Sequence, residues 1–204
     1  MRSTLYYIHD PMCSWCWAFR PVWQVVRKQL PQHIEIKYLL GGLAADTNKA
    51  MPEDLQKTIR QTWLRIQKVV PGTEFNFDFW EMCLPRRSTY PACRAVIAAR
   101  NQGHQYEEVM IYAIQQAYYL NAENPSDDEV LSSLAENLEL DLKQFQIDLN
   151  SQQTQQQLEQ EIVNSRTIGA QGFPSLIWLG YGNYCSIAID YNNADIVLEA
   201  ITSQ

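Results

Sequence analysis

The sequence predicts an α/β chain in the order βαβ, a long helical block, then ββα. Three observations carry this reading. In the first forty residues a helical pattern lies between two short apolar stretches. The middle of the chain is a series of segments with helical periodicity. The last forty residues return to short apolar stretches separated by a Gly-containing turn.

Leu5 to Ile8 is short, apolar and aromatic, as a buried strand should be, and Asp10-Pro11 ends it. From Ser14 to Leu30, residues Trp17, Val22, Val25, Val26 and Leu30 share a broad helical face. Pro21 interrupts that helix and is expected to kink it; Pro31 closes it. Ile34, Ile36, Tyr38 and Leu40 alternate with Glu35 and Lys37, a strand period. A helix between two short strands implies a parallel pair. After Gly41-Gly42, Pro52-Glu53 opens a helix running to about Val70. Residues 72–89 read as a loop, and helices are expected near 90–101, 104–120, 126–137 and 141–166. Ser126, followed three residues later by Glu129, has the form of a capping box. The Gln-rich run 152–160 reads as a solvated helix face. Leu176-Ile177-Trp178-Leu179 and Tyr184 to Ile189 are strands around the turn Gly180 to Asn183. Asn192 or Asn193 caps a last helix, Ala194 to Thr202.

The 204 residues carry a net charge of −7, which argues against a nucleic-acid partner. No apolar run approaches the roughly 18 residues a spanning helix needs, so no membrane partner is expected. The opening residues lack an apolar leader core, and the five cysteines are odd in number. Both features lead to the expectation of a cytoplasmic protein without a disulfide framework.

Cys13-Ser14-Trp15-Cys16 falls where a strand ends and a helix begins. The first turn of a helix has unpaired N–H groups and the positive end of the macrodipole. A thiolate there is stabilised, and its pKa falls below the free value of about 8.5. Cys13 would be the exposed nucleophile; Cys16, one turn deeper, would be the resolving thiol. A C-x-x-C is also compatible with half a zinc site or an inert core pair. Zinc would need two further ligands at matched spacing, and Cys83, Cys93, His9, His33 and His104 are scattered, so no metal is expected. Pro174, after Phe173 and opening a strand, is a candidate cis-proline.

The CSWC helix start, the proline at 21 and the tail with Gly172-Phe173-Pro174-Ser175 resemble the thioredoxin fold. With its long helical block the chain resembles the DsbA family. The opening His9-Asp10-Pro11-Met12-Cys13-Ser14-Trp15-Cys16-Trp17 and the stretch Ile168 to Pro174 resemble its cytoplasmic FrnE-like branch. The resemblance implies a thioredoxin fold at 1–45 and 167–204 with an all-helical insertion at 46–166. It implies thiol–disulfide exchange at Cys13 and Cys16, Pro174 in cis, the Phe173 backbone pairing with an incoming peptide, and an insertion capping the active-site face.

The chain departs from that pattern in two ways. The buried acid that thioredoxin and the periplasmic members carry six residues before the first Cys is Tyr7 here, so proton transfer at Cys16 needs another group. Asp10 and His9 are nearest, although Asp10 also suits a turn before Pro11. Trp15 stands where the strong periplasmic oxidants have His, and it carries no charge. A milder couple is expected, with a Cys13 pKa not below about 4. Met12, Trp15 and Phe173 are the candidate substrate contacts, and Trp17 is expected in the core. Cys83 and Cys93 read as buried free thiols, with a second redox role open. Cys185 reads as structural. Arg86-Arg87 is either solvated or a holder of a glutathione carboxylate.

The expected partners are protein or peptide thiols and disulfides, with glutathione as a further co-substrate and no bound cofactor. The rival reading is a glutathione-dependent transferase or isomerase of the kappa-class or 2-hydroxychromene-2-carboxylate isomerase type. Those proteins typically have Ser at the position of Cys13 and lack Cys16. A third class is a non-enzymatic binder, a holdase or metal carrier.

Overall fold

The computed structural model describes residues 3–204. Strand β1 is Ser3–His9 and β2 is Ile34–Leu40; they pair in parallel, Ser3 opposite Ile34 and His9 opposite Leu40. The crossover between them is α1, Ser14–Gln29, which runs without a break through Pro21. Strand β3, Ser175–Gly180, lies antiparallel on the other side of β1, and β4, Asn183–Ile187, is antiparallel to β3. The order β2-β1-β3-β4 makes β1 an inner strand, so the segment that leads into Cys13 is held from both sides. The β3–β4 turn is tight: Tyr181 and Gly182 both have positive φ, 52° and 82°, as a two-residue hairpin of this hand requires.

Two cores flank the entry to α1. Leu5, Tyr7, Leu176 and Trp178 of the sheet join Phe19, Val22, Trp23 and Val26 of α1 and Val197 and Ile201 of the last helix, α9 (Ala194–Thr202). Burying each such side chain contributes about 1.5–3 kcal/mol. Between β2 and β3 lie α2 (Glu53–Val69), α3 (Phe79–Met82), α4 (Tyr90–Gln102), α5 (Gln105–Tyr119), α6 (Asp128–Asn137), α7 (Leu142–Leu149) and α8 (Gln152–Thr167). Their core is centred on α4, buried from Pro91 to Ala99, and on Trp63 of α2. Met12 and Leu40 belong to this second core, so the helices pack directly on the end of β1. No helix among the described residues is long and apolar enough to cross a membrane.

The structure departs from the sequence reading at four elements. The helix expected over 141–166 is two helices, because Ser151 turns out of α7 and caps α8 by accepting the Thr154 N–H at 3.1 Å. The 72–89 loop contains α3 and is pinned by its aromatics: Phe75, Phe79 and Trp80 surround the Trp63 ring. Ser126 is not a cap. It is buried and its hydroxyl donates to the Ser88 carbonyl at 2.6 Å, so α6 starts after Asp127. The edge strand β4 ends at Ile187, short of Ile189, and Cys185 is exposed on it rather than packed. Elsewhere local chemistry holds. Asn193 caps α9 by accepting the Asp195 N–H, and most of the Gln-rich face of α8 is solvated.

Candidate active site

The chain leaves β1 through Asp10-Pro11-Met12 and enters α1 at Ser14, with Cys13 as its N-cap residue (φ −84°, ψ 116°). The Cys13 N–H donates to the Asp10 carbonyl at 3.0 Å, and the Cys13 carbonyl accepts the Trp17 N–H at 3.1 Å. These bonds fix the sulfur beside the unpaired N–H groups of the first helical turn. Both cysteines are free thiols and both are buried, Cys13 with 7% exposure and Cys16 with none. The Cys13 thiol donates to the Phe173 carbonyl at 3.5 Å, across 160 residues of sequence. The Phe173-Pro174 peptide bond beside it is cis.

The two sulfurs have opposite acidities. A hydrogen bond from the Cys16 thiol, helped by the Cys16 and Trp15 N–H groups, pulls the Cys13 pKa below its ordinary value against burial and the charge of Asp10. Burial, and then the proximity of Cys13, push Cys16 well above its ordinary value. The first thiol is therefore the one that ionises, and it does so partly because the second holds its proton.

Asp10 is fully buried behind this turn, and its carboxylate is surrounded by donors. Oδ1 accepts the Met12 N–H at 2.8 Å. Oδ2 accepts the Leu43 N–H and the Thr89 hydroxyl, both at 2.7 Å, and the Cys93 thiol at 3.5 Å. Burial raises its pKa all the same; the donors only moderate that rise. Cys93 is the buried thiol expected from the sequence, and burial followed by the charge of Asp10 pushes its pKa well up, away from reactivity.

A groove of about 450 Å³ opens at Cys13. It is lined by Met12, Ser14 and Trp15 of the dithiol turn, by Leu55, Thr58, Ile59 and Thr62 of α2, and by Arg87 and Phe173. Trp63 of α2 donates its indole N–H to the Ser14 hydroxyl at 2.9 Å, which ties that helix to the dithiol turn. The Phe173 ring lies against Gly41, where any β-carbon would run into it. The absence of a side chain at Gly41 is what lets Phe173 reach Cys13.

Cys13, Cys16, Asp10, Met12, Trp15, Phe173 and Pro174 thus meet at one end of the sheet. His9 does not join them. It stacks on Tyr7 and meets Tyr38 edge-on, neither ring nitrogen has a hydrogen-bond partner, and burial lowers its pKa to about 3. Trp17 is half-buried rather than core, donating to the Glu74 carbonyl and stacking on Tyr119. Arg86 is held by Asp127 and the Ser126 carbonyl, whereas Arg87 faces the groove. Cys83 is half-buried and donates to the Ala122 carbonyl at 3.1 Å. Thr89, Leu43, Trp63 and the α2 wall were not singled out in the sequence. Nothing local marks them, because they reach the site only through the packing of the helical block. No cluster of His, Cys, Asp and Glu suited to a metal is present among the described residues.

The family model described as thioredoxin matches residues 6–192. The ClpXP adapter protein SpxH of Halalkalibacterium halodurans is 24% identical over 178 residues, 85% of this chain and 58% of that protein. SpxH of Bacillus subtilis is 28% identical over 72% of this chain and 48% of its own length. The chain spans about half the length of these curated relatives. Among solved structures, a candidate protein disulfide isomerase from Nitrosomonas europaea is 26% identical with a TM-score of 0.86, covering 100% of this chain and 97% of that one. The cytosolic disulfide reductase DsbM from Pseudomonas aeruginosa is 22% identical with a TM-score of 0.74, covering 97% and 93%. The chain belongs to the thioredoxin family, with the fold of its DsbA-like members.

Proposed function

We propose that this protein is a thiol–disulfide oxidoreductase in which Cys13 attacks and Cys16 resolves. One observation carries the reading: two thiols within one helical turn have oppositely displaced acidities, and the more acidic one lines a groove. In the reducing direction the Cys13 thiolate attacks one sulfur of a substrate disulfide. The substrate S–S bond breaks, the departing thiolate takes up a proton, and a Cys13–substrate disulfide forms. Cys16 then gives up its proton and attacks the Cys13 sulfur, releasing the second substrate thiol. Two electrons pass to the substrate, and the protein is left with a Cys13–Cys16 disulfide. The oxidising direction is the same sequence reversed.

Asp10 is the proton acceptor for Cys16 in this scheme. It is a buried carboxylate behind the turn whose pKa burial raises, which makes it a better proton acceptor than an exposed carboxylate. Met12, Trp15 and Phe173 line the groove and hold the substrate, with the Phe173 carbonyl available to an incoming peptide backbone. Glutathione is the co-substrate in this reading, its carboxylate toward Arg87, which lines the groove. DsbM of Pseudomonas aeruginosa, a neighbour at 20% identity, has been solved with GSH.

The test is reduction of insulin disulfides. Cys13→Ser is expected to abolish it, and Cys16→Ser to accumulate a mixed disulfide detectable by mass. Full activity in Cys13→Ser, or glutathione conjugation that survives Cys16→Ser, would overturn the reading in favour of the transferase class. A second reading, a protein-binding adapter, draws on the relatives named SpxH. It predicts partner binding that is indifferent to Cys13→Ser.

A further inference from the structure

Building on the oxidoreductase reading, we propose that the segment exchanged at Cys13 is an acidic peptide, selected by a row of cations along α2 together with Arg87. The chain as a whole is acidic, at −7, yet after Glu53 and Asp54 in its first turn helix α2 carries Lys57, Arg60, Arg65 and Lys68 and no further carboxylate, and Lys57 and Arg65 are the two that line the surface beside Cys13. This helix is the wall of the Cys13 groove.

A second depression, of about 420 Å³, adjoins the groove along the same helix. It is lined by Lys57, Thr58, Gln61, Thr62 and Arg65, and it shares Thr58 and Thr62 with the groove. The two form one surface, and neither has an Asp or Glu among its lining residues. The Arg65 guanidinium sits 5.9 Å from the centre of the ring of Trp15, a groove residue that lies between the two cysteines in sequence, so one of these cations borders the groove.

These charges are not spent inside the protein. Among the described residues Arg60, Arg65, Lys68 and Arg87 make no ion pair. Lys57 has only an exposed one, to Asp54 at 3.6 Å, of the kind that contributes little. Asp10, the carboxylate beneath the groove, is enclosed and saturated by its own donors. An acidic protein repels an acidic partner at long range, but beyond a Debye length of about 10 Å that repulsion is screened, and inside it the local cations decide.

The dimensions favour a peptide over a small thiol. Lys57 and Arg65 are eight residues apart on one helix, about 12 Å. An extended peptide advances about 3.3 Å per residue, so the row spans about four of its residues. The apolar lining, Met12, Leu55, Ile59 and Phe173, accepts the residues next to the substrate cysteine, and the acidic ones lie within about four positions of it.

The test uses three peptides that differ only in their flanks, Glu, Gln or Lys, around one cysteine held as a mixed disulfide. With the reduced protein at about 0.1 M salt, exchange is expected about tenfold faster for the Glu than for the Lys peptide, converging to within about twofold at about 0.5 M salt. The double charge reversal Lys57→Glu with Arg65→Glu inverts the order, and neutralisation to Gln flattens it. Both side chains are exposed, and each protein is judged by its own ratio of rates. Equal rates for the three peptides, or an acidic preference that survives the reversal, would overturn the proposal. So would an equal loss of exchange with oxidised glutathione, since that would mark a general anion field. Anisotropy with the same peptides carrying Ser in place of Cys separates the two readings. Tighter binding of the Glu peptide without any exchange supports the cation row and overturns the oxidoreductase reading. No binding preference overturns the row.

Discussion

The Asp10 carboxylate accepts a 2.7 Å hydrogen bond from the hydroxyl of Thr89, the residue that precedes α4. The strand that delivers the dithiol and the helical block that roofs it are therefore joined at one buried charge. Thr89→Val removes that donor and leaves a neighbouring shape nearly unchanged. A lost bond to a buried carboxylate costs about 1–3 kcal/mol. Losing a donor raises the folded-state pKa of Asp10 further, and a raised carboxylate pKa means stability that is lost as pH rises through it. The penalty read from urea unfolding is thus expected to be larger at pH 8 than at pH 4. An equal penalty at both would mean that the bond does not bear on ionisation.

Removing the carboxylate itself addresses the proton transfer. Asp10→Asn presents an amide to the Leu43, Thr89 and Met12 donors and takes away the acceptor. Trapping of the mixed disulfide is expected to persist while its resolution by Cys16 slows about tenfold or more, with the pH dependence of resolution moved upward. Stopped-flow measurement of the two steps separates them, and equal slowing of both would point to a misfolded turn.

Cys13 is held below the ordinary thiol range and Cys16 well above it. Alkylation by iodoacetamide is expected to modify Cys13 first, with a midpoint below that of free cysteine. In Cys16→Ala the donor to the Cys13 sulfur is gone, and the midpoint rises. Mass spectrometry identifies the modified residue, and preferential labelling of Cys16 would reverse the assignment.

His9 is buried without a partner, with its pKa lowered to about 3. The unfolded chain binds this proton from about pH 6.5 downward and the folded chain only near 3, so stability is full above 6.5 and falls as pH drops through that window. Each pH unit is worth about 1.4 kcal/mol, so between pH 6.5 and 4.5 His9 alone removes about 2–3 kcal/mol. His9→Phe keeps a ring on Tyr7 and is expected to lose that part of the slope in urea unfolding. An unchanged slope would place the acid sensitivity elsewhere.

Gly41→Ala drives a methyl into the Phe173 ring. Overpacking of this kind costs about 1–3 kcal/mol, and displacement of the Phe173 carbonyl from Cys13 is expected to slow exchange about tenfold. Combining it with Phe173→Leu relieves the clash and should restore stability more than additively. Strict additivity in a thermal melt would show that the two residues do not meet.

Legibility in the sequence followed the range of the interactions. The C-x-x-C at a strand-to-helix junction, the parallel pair around α1 and the Asn193 cap were readable because each depends on a few consecutive residues. The α7–α8 break was missed although Ser151 and Thr154 have cap spacing, because the apolar pattern runs on through it. His9 and Asp10 looked equivalent as neighbours of Cys13. They differ because β1 turns the His9 ring onto Tyr7, while Asp10 stands beyond the strand end where main-chain donors converge.

By itself, then, the sequence determined the βαβ and ββα ends of the chain, the thiol pair and the helix end beside it, since periodicity, capping and a helix's own dipole are local. Only the tertiary structure decided that Leu43 and Thr89 enclose the Asp10 carboxylate, that Gly41 makes room for Phe173, and that α2 walls the groove. Those are contacts across 33 to 160 residues of chain, set by how the helical block packs on the end of β1, and no stretch of neighbouring residues encodes them.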